Sequence, residues 1–221
     1  MNPSEVATAL AIPIQSSERA ILLQVTEEDG DQQYYLRCES HFSWPGGASG
    51  PTVGVGYDCG YSTAAGIQTD WAGFIDQARI DLLKTAAGLT RGRAQQFVAA
   101  HGHSVTISWD ESLAQYKAHE LPKWEAIVRA HLPNTDLLSG DSFGALVSLT
   151  YNRGPSYDAP SSRYLEMRNI KAHMAAKRFD LIPAEFLAMR RLWPPGKDLW
   201  NRRTHEALLF RDGLIPTKAA L

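Results

Sequence analysis

The chemistry-bearing residues of the first third fall in two groups. In residues 17–28, Ser17 is a helix-capping residue, and Ile21, Val25 and Glu28 follow on one helical face at i, i+4 and i+7. A carboxylate closing an apolar face points toward the interior or a cleft edge. There, desolvation disfavours its ionised form and keeps a proton available near neutral pH. Glu27 lies on the adjacent face, below Leu23. The alternative is a solvated helix end made of Glu27, Glu28 and Asp29, although negative charge is disfavoured at that end of the helix dipole. In the second group, Gly54 and Gly56 alternate with Val53 and Val55, so a strand over 52–58 has one face without side chains. Such a face marks the close approach of a ligand or of another backbone; a bulged hairpin packed on a helix is the other reading. Thr52 and Asp58 stand an even number of residues apart and share a face if that strand is regular.

The elements that must position these groups follow from punctuation. Residues 29–70 hold eight of the 17 glycines together with Tyr34, Tyr35, Phe42, Trp44, Tyr57 and Tyr61, which predicts a small twisted β-region with tight turns. Residues 34–38 read as one strand, 44–50 as a turn and 52–58 as the return strand. From Trp71 onward helical patterns dominate, with Asp110 and Asp141 as caps for two of the helices. Cys38 and Cys59 flank the hairpin symmetrically, which leaves either a cross-strand disulfide or two buried thiols. His101, His103, His119, His131, His173 and His205 show no metal-ligand spacing, so no metal and no cofactor is expected.

The chain has 221 residues, 44% hydrophobic and 21% charged, which excludes collagen-like, low-complexity and highly charged disordered classes. No apolar run approaches the roughly 20 residues of a membrane span, and residues 1–5 lack the basic and apolar regions of a secretory signal. Synthesis in the cytoplasm without a signal peptide is therefore the expectation. Net charge is −2, divided into −7 over residues 1–70 and +5 over 71–221. That asymmetry suits acidic catalysis on one wall of a cleft and an anionic polymer on the other; solvated helix faces are the alternative.

The run Trp44-Pro45-Gly46-Gly47-Ala48-Ser49-Gly50, followed by Thr52-Val53-Gly54-Val55-Gly56-Tyr57-Asp58, resembles the core signature of the phage-type lysozymes, closest to their pesticin-like branch. Glu28 matches the glutamate at the end of that family's first helix. Thr52 matches its threonine, and Asp58 the aspartate six residues later. Residues 143–154 resemble the helix crossing the second lobe, and 199–210 the closing Arg-Arg-x-x-Glu helix. Many phage enzymes carry their aspartate inside the hairpin, before the threonine. Here the segment 38–51 has only Glu39 as a carboxylate, and Tyr57 stands where histidine is common.

The resemblance implies an α+β, mostly helical, lysozyme-like fold over residues 17–214. A β-lobe at about 29–70 would face a helical lobe at about 71–214 across a cleft, with an extension at 1–16 and a tail at 215–221. It implies a muramidase cleaving the β-1,4 link between N-acetylmuramic acid and N-acetylglucosamine in peptidoglycan. The other readings are a hydrolase of chitin or a related hexosamine glycan, and an inactive wall-binding module. Glu28 would be the general acid, with Glu27 or Glu39 as alternatives, and Thr52 and Asp58 would hold the attacking water. Tyr57, Asn152, Arg153 and Arg202 would contact substrate, Arg202 or Arg203 also pairing with Glu28. Water attack inverts the anomeric centre; a covalent adduct on Asp58 would retain it. Expected partners are glycan strands and an immunity or inhibitor protein, with no nucleic acid. The chain would be a monomer acting on the bacterial wall after delivery by an unidentified route.

Overall fold

Serine caps set the ends of several helices. Ser17 accepts a hydrogen bond from Ala20 N at 3.1 Å and starts helix α1, Glu18–Asp29, which buries Ile21 and Val25 as its pattern predicts. The computed structural model describes residues 13–29 and 32–214 of the chain. Within them the protein is mostly helical and carries one two-stranded antiparallel sheet, an α+β composition.

Residues 34–38 form no strand. They belong to helix α2, Gln32–Cys38. Tyr35 is buried with its ring edge-on to Trp109 at 5.2 Å, while Leu36 and Arg37 are both exposed. One buried position followed by two exposed ones is a helical pattern, and five residues are too few to reveal the period. The return segment also differs from a single strand. Strand β1, Thr52–Val53, pairs antiparallel with strand β2, Tyr57–Asp58, and the chain reverses between them. Gly54 and Gly56 supply that reversal with φ of +64° and +67°, a region closed to most side chains. Their bareness therefore serves a turn rather than a strand face.

One compact unit comprises Val25–Lys123, the other residues 13–24 with 124–214. The first unit continues with helices α3 (Ala64–Trp71), α4 (Gln77–Lys84), α5 (Gly92–His101) and α6 (Trp109–Gln115). Its core gathers Val53, Tyr57, Cys59, Ile67, Trp71, Ile80, Leu83 and Ile107. Ser112 on α6 accepts Val55 N–H at 2.7 Å and so holds the hairpin turn. Cys59 is a free, fully buried thiol whose pKa is pushed up by burial, so the disulfide is not formed; the Cys38 side chain lies outside the described residues.

Helix α7 (Leu121–His131) leads into the second unit, with α8 (Gly140–Arg153), α9 (Leu165–Ala175), α10 (Ile182–Met189) and α11 (Asp198–Gly213). Every residue of α8 from 142 to 150 is buried, which makes it the axis of this unit. Residues 13–24 pack on its start. Ser17 N donates to Gly140 O at 3.1 Å, Gln24 Nε2 reaches Gly144 O at 3.3 Å, and a Cβ on Gly144 would overlap Ala20. The caps of α6 and α8 are Ser108 and Ser139 rather than Asp110 and Asp141. Each aspartate instead sits in the first turn, two residues after the serine, where its charge favours the helix start.

Candidate functional site

Thr52 lies at the centre of a short row. It exchanges backbone hydrogen bonds with Ser43, Ser43 N to Thr52 O at 2.8 Å and Thr52 N to Ser43 O at 2.9 Å, and on its other side it stands opposite Asp58. Since Thr52 spends its N–H and C=O on Ser43, the Thr52–Asp58 pairing is of the non-hydrogen-bonded kind, in which side chains approach more closely. Directly opposed residues share a face. Thr52 and Asp58 thus meet as cross-strand partners, although the sequence places them on one strand.

Both oxygens of Asp58 bind backbone. Oδ2 accepts Gly50 N–H at 3.0 Å and Oδ1 accepts Gly60 N–H at 2.8 Å. Gly50 also accepts the Thr52 hydroxyl at 3.3 Å. A Cβ on Gly50 would overlap the Asp58 carboxylate and lie 2.6 Å from Gly60 N, so only glycine leaves room for the carboxylate there. Thr52 is 7% exposed and Asp58 is half-buried. Glu39, also half-buried, joins the row through Ser43, whose hydroxyl donates to Glu39 Oε2 at 3.0 Å. Glu28 lies in the last turn of α1, but its side chain is outside the described residues; Glu27 is half-buried.

The remaining expected residues lie elsewhere. Tyr57 is 4% exposed, its ring edge-on to Trp71 at 5.4 Å and its hydroxyl donating to Asp70 at 2.9 Å. Burial raises its pKa, and it is a core residue rather than a surface contact. Asn152 and Arg153 end α8 in the second unit, both half-buried. The Arg153 guanidinium lies over the rings of Tyr164 (5.1 Å) and Trp193 (5.3 Å) and donates to Arg163 O at 2.6 Å. Burial, with the charges of Arg163 and Arg203, lowers its pKa to about 10. Arg202 is buried on α11, bonded to Ser148 and Glu206; its expected pairing with Glu28 falls on a side chain outside the described residues. Glu206 Oε1 accepts from Ser148 Oγ at 2.7 Å and Arg203 Nη2 at 2.8 Å, and burial raises its pKa against the pull of both arginines.

The first unit therefore joins Thr52, Asp58 and Glu39, and adds two residues the sequence reading did not single out, Ser43 and Gly50. Their signal was the spacing: Ser43 and Thr52 bracket the glycine turn as symmetrically as the cysteines do. Among the described residues no three His, Cys, Asp or Glu side chains converge on a metal position, and no helix is long and apolar enough to cross a membrane.

A family model described as a domain of unknown function (DUF8812) matches residues 23–129. No curated protein matches the sequence. The matched span contains Glu28, Glu39, Ser43, Thr52 and Asp58 and excludes Asn152, Arg153 and Arg202, so the similarity runs through the part of the chain that builds the row.

Proposed function

We propose that the chain is a peptidoglycan hydrolase, a muramidase of the phage-type lysozyme kind with a lysozyme-like fold. The observation that carries this reading is the opposed pair of Thr52 and Asp58 beside the glycine turn. A carboxylate has about four lone-pair sites, and the two backbone N–H groups leave Asp58 free to accept from a water as well. Glu28 gives its proton to the glycosidic oxygen. Water held by Thr52 and Asp58 attacks the anomeric carbon and passes a proton to Asp58 as the C–O bond breaks. The product is a hemiacetal of inverted configuration. The chemistry needs no metal or cofactor. The glycan strand of the bacterial wall is the substrate, and an immunity or inhibitor protein is the natural antagonist. The chain is proposed to be made in the cytoplasm and to reach the wall by a separate delivery route.

Purified cell walls incubated with the protein should lose turbidity and release reducing ends, and Glu28→Gln and Thr52→Ala should each lower the rate by about a hundredfold or more. Proton NMR should show the first-formed product as the inverted anomer. If chitin oligomers are cut and walls are not, the substrate is a different hexosamine glycan. If neither is cut, the enzyme reading fails. Undiminished activity in Glu28→Gln with loss in Glu39→Gln would move the acid to the row itself.

A further inference from the structure

Two aromatic side chains brace the same turn next to the row. Trp44, the residue after Ser43, donates its Nε1–H to Ser49 O at 3.1 Å. Tyr61, three residues after Asp58, donates its hydroxyl to Ala48 O at 3.0 Å. The turn between them is built on Gly46 and Gly47, with φ of +99° and +58°, and ends at Gly50, against which the Asp58 carboxylate rests. Asp58 also caps the short 3-10 turn Cys59–Tyr61 that carries the tyrosine. Tyr61 is thus fixed at its backbone by Asp58 and at its hydroxyl by Ala48, yet it is 70% exposed. A hydroxyl anchored at the tip leaves a ring that is held in place and presents its surface to solvent.

We propose that Tyr61, with Trp44 on the other flank of the turn, is a stacking platform for a pyranose ring of the glycan strand. The assignment rests on the reading of the chain as a glycan hydrolase. The C–H groups on one face of a pyranose carry partial positive charge and complement the negative face of an aromatic ring. A ring already immobilised loses little further freedom when a sugar settles on it, which favours affinity. Because Asp58 is the residue that sets the Tyr61 turn, a sugar stacked there is placed within a few residues of the row, which suits a subsite adjoining the bond to be cut.

The test uses the full chain and two variants, Tyr61→Ala and Tyr61→Phe. Binding to purified insoluble peptidoglycan is measured by co-sedimentation in the cold, and KM and kcat are measured on the same walls. Tyr61→Ala should weaken binding and raise KM about three- to tenfold with kcat little changed, the range expected for one aromatic contact. Tyr61→Phe keeps the ring face and loses only the exposed hydrogen bond that holds its tip, so it should lose clearly less than Tyr61→Ala, about twofold relative to the parent. Parental binding by Tyr61→Ala overturns the platform, as does a loss in Tyr61→Phe equal to that in Tyr61→Ala, which would make the hydroxyl a brace for the turn. A parent protein that does not bind walls overturns it as well. Tyr61-dependent binding without release of reducing ends supports the platform and refutes the hydrolase.

Discussion

Replacing Asp58 should unsettle the fold before it reports on chemistry. Its two oxygens each accept a backbone N–H, from Gly50 at 3.0 Å and Gly60 at 2.8 Å. Asn keeps one of these bonds and turns an NH2 toward the other backbone N–H, leaving that donor unpaired. A hydrogen bond to a charged group contributes about 1.5–3 kcal/mol, and Asp58 is half-buried, so Asp58→Asn should cost about 2 kcal/mol. Asp58→Ala loses both bonds and should cost about 3–4 kcal/mol. With a urea slope of about 2 kcal/mol/M, the midpoint should fall by about 1 M for Asn and nearly twice that for Ala. Urea titration followed by tryptophan fluorescence and far-ultraviolet circular dichroism measures this. A midpoint for Asp58→Asn within about 0.25 M of the parent would refute the assignment of Asp58 as the brace between Gly50 and Gly60. If the cost is as large as reasoned, lost activity in Asp58 variants cannot be assigned to catalysis alone. Thr52, whose hydroxyl makes one long bond to Gly50 O, is the cleaner probe of the chemistry.

The bidentate pair of Arg79 and Glu111, with N–O distances of 2.7 and 2.9 Å, predicts an acid-sensitive step. Hydrogen bonding to Arg79, then to Ser108, lowers the Glu111 pKa to about 2. A depressed carboxylate pKa contributes stability that is present above its usual value of about 4.5 and is lost as pH falls toward 2. Solvent screening limits this term to about 1 kcal/mol, and Glu111→Gln should flatten the pH 2–5 stability profile by that amount; an unchanged profile would refute it. At Gly60, a Cβ would overlap the Leu89 carbonyl and lie 2.6 Å from Gly50 Cα, all of it backbone. Gly60→Ala should therefore cost about 3 kcal/mol or more by urea titration, and a loss under 1 kcal/mol would mean the hairpin relaxes freely.

The helices were legible where periodicity and a terminal signal agreed. Ser17 caps α1 as expected, the run 143–154 lies in α8 with Gly154 at its end, and 199–210 lies in α11. The errors share a physical origin. A strand face and a tight turn both require glycine, so Gly54 and Gly56 carried two meanings, and only their positive φ settles which applies. Asp110 and Asp141 can cap, but each has a serine two residues earlier that takes the role, and the carboxylate then gains from the helix dipole within the first turn. The proximity of Thr52 to Asp58 was foreseen for the wrong reason. Even separation gives two residues of one strand a shared face, and direct opposition across a hairpin gives one at any separation; Thr52 and Asp58 meet both conditions, and the second is the one that applies. The surroundings of Tyr57 were not legible in its own segment, because the Asp70 carboxylate and the Trp71 ring that enclose it come from the end of the next helix, α3.

Residues 13–24 belong with 124–214, and the chain between them has a core of its own. Synthesis runs from one end, so the order of completion is not the order of the sequence. Gly144, the partner of Ala20, and the Gly140 carbonyl that receives Ser17 N–H leave the ribosome more than a hundred residues after Ala20 does. At about 5–20 residues per second, that gap lasts on the order of ten seconds. During it, Ala20 has no α8 to cover it, while the intervening segment finishes its own core, through Ile107, before α8 is made. The opening turns of α1 thus gain their covering only when α8 is made, after the segment that follows α1 in sequence has been finished.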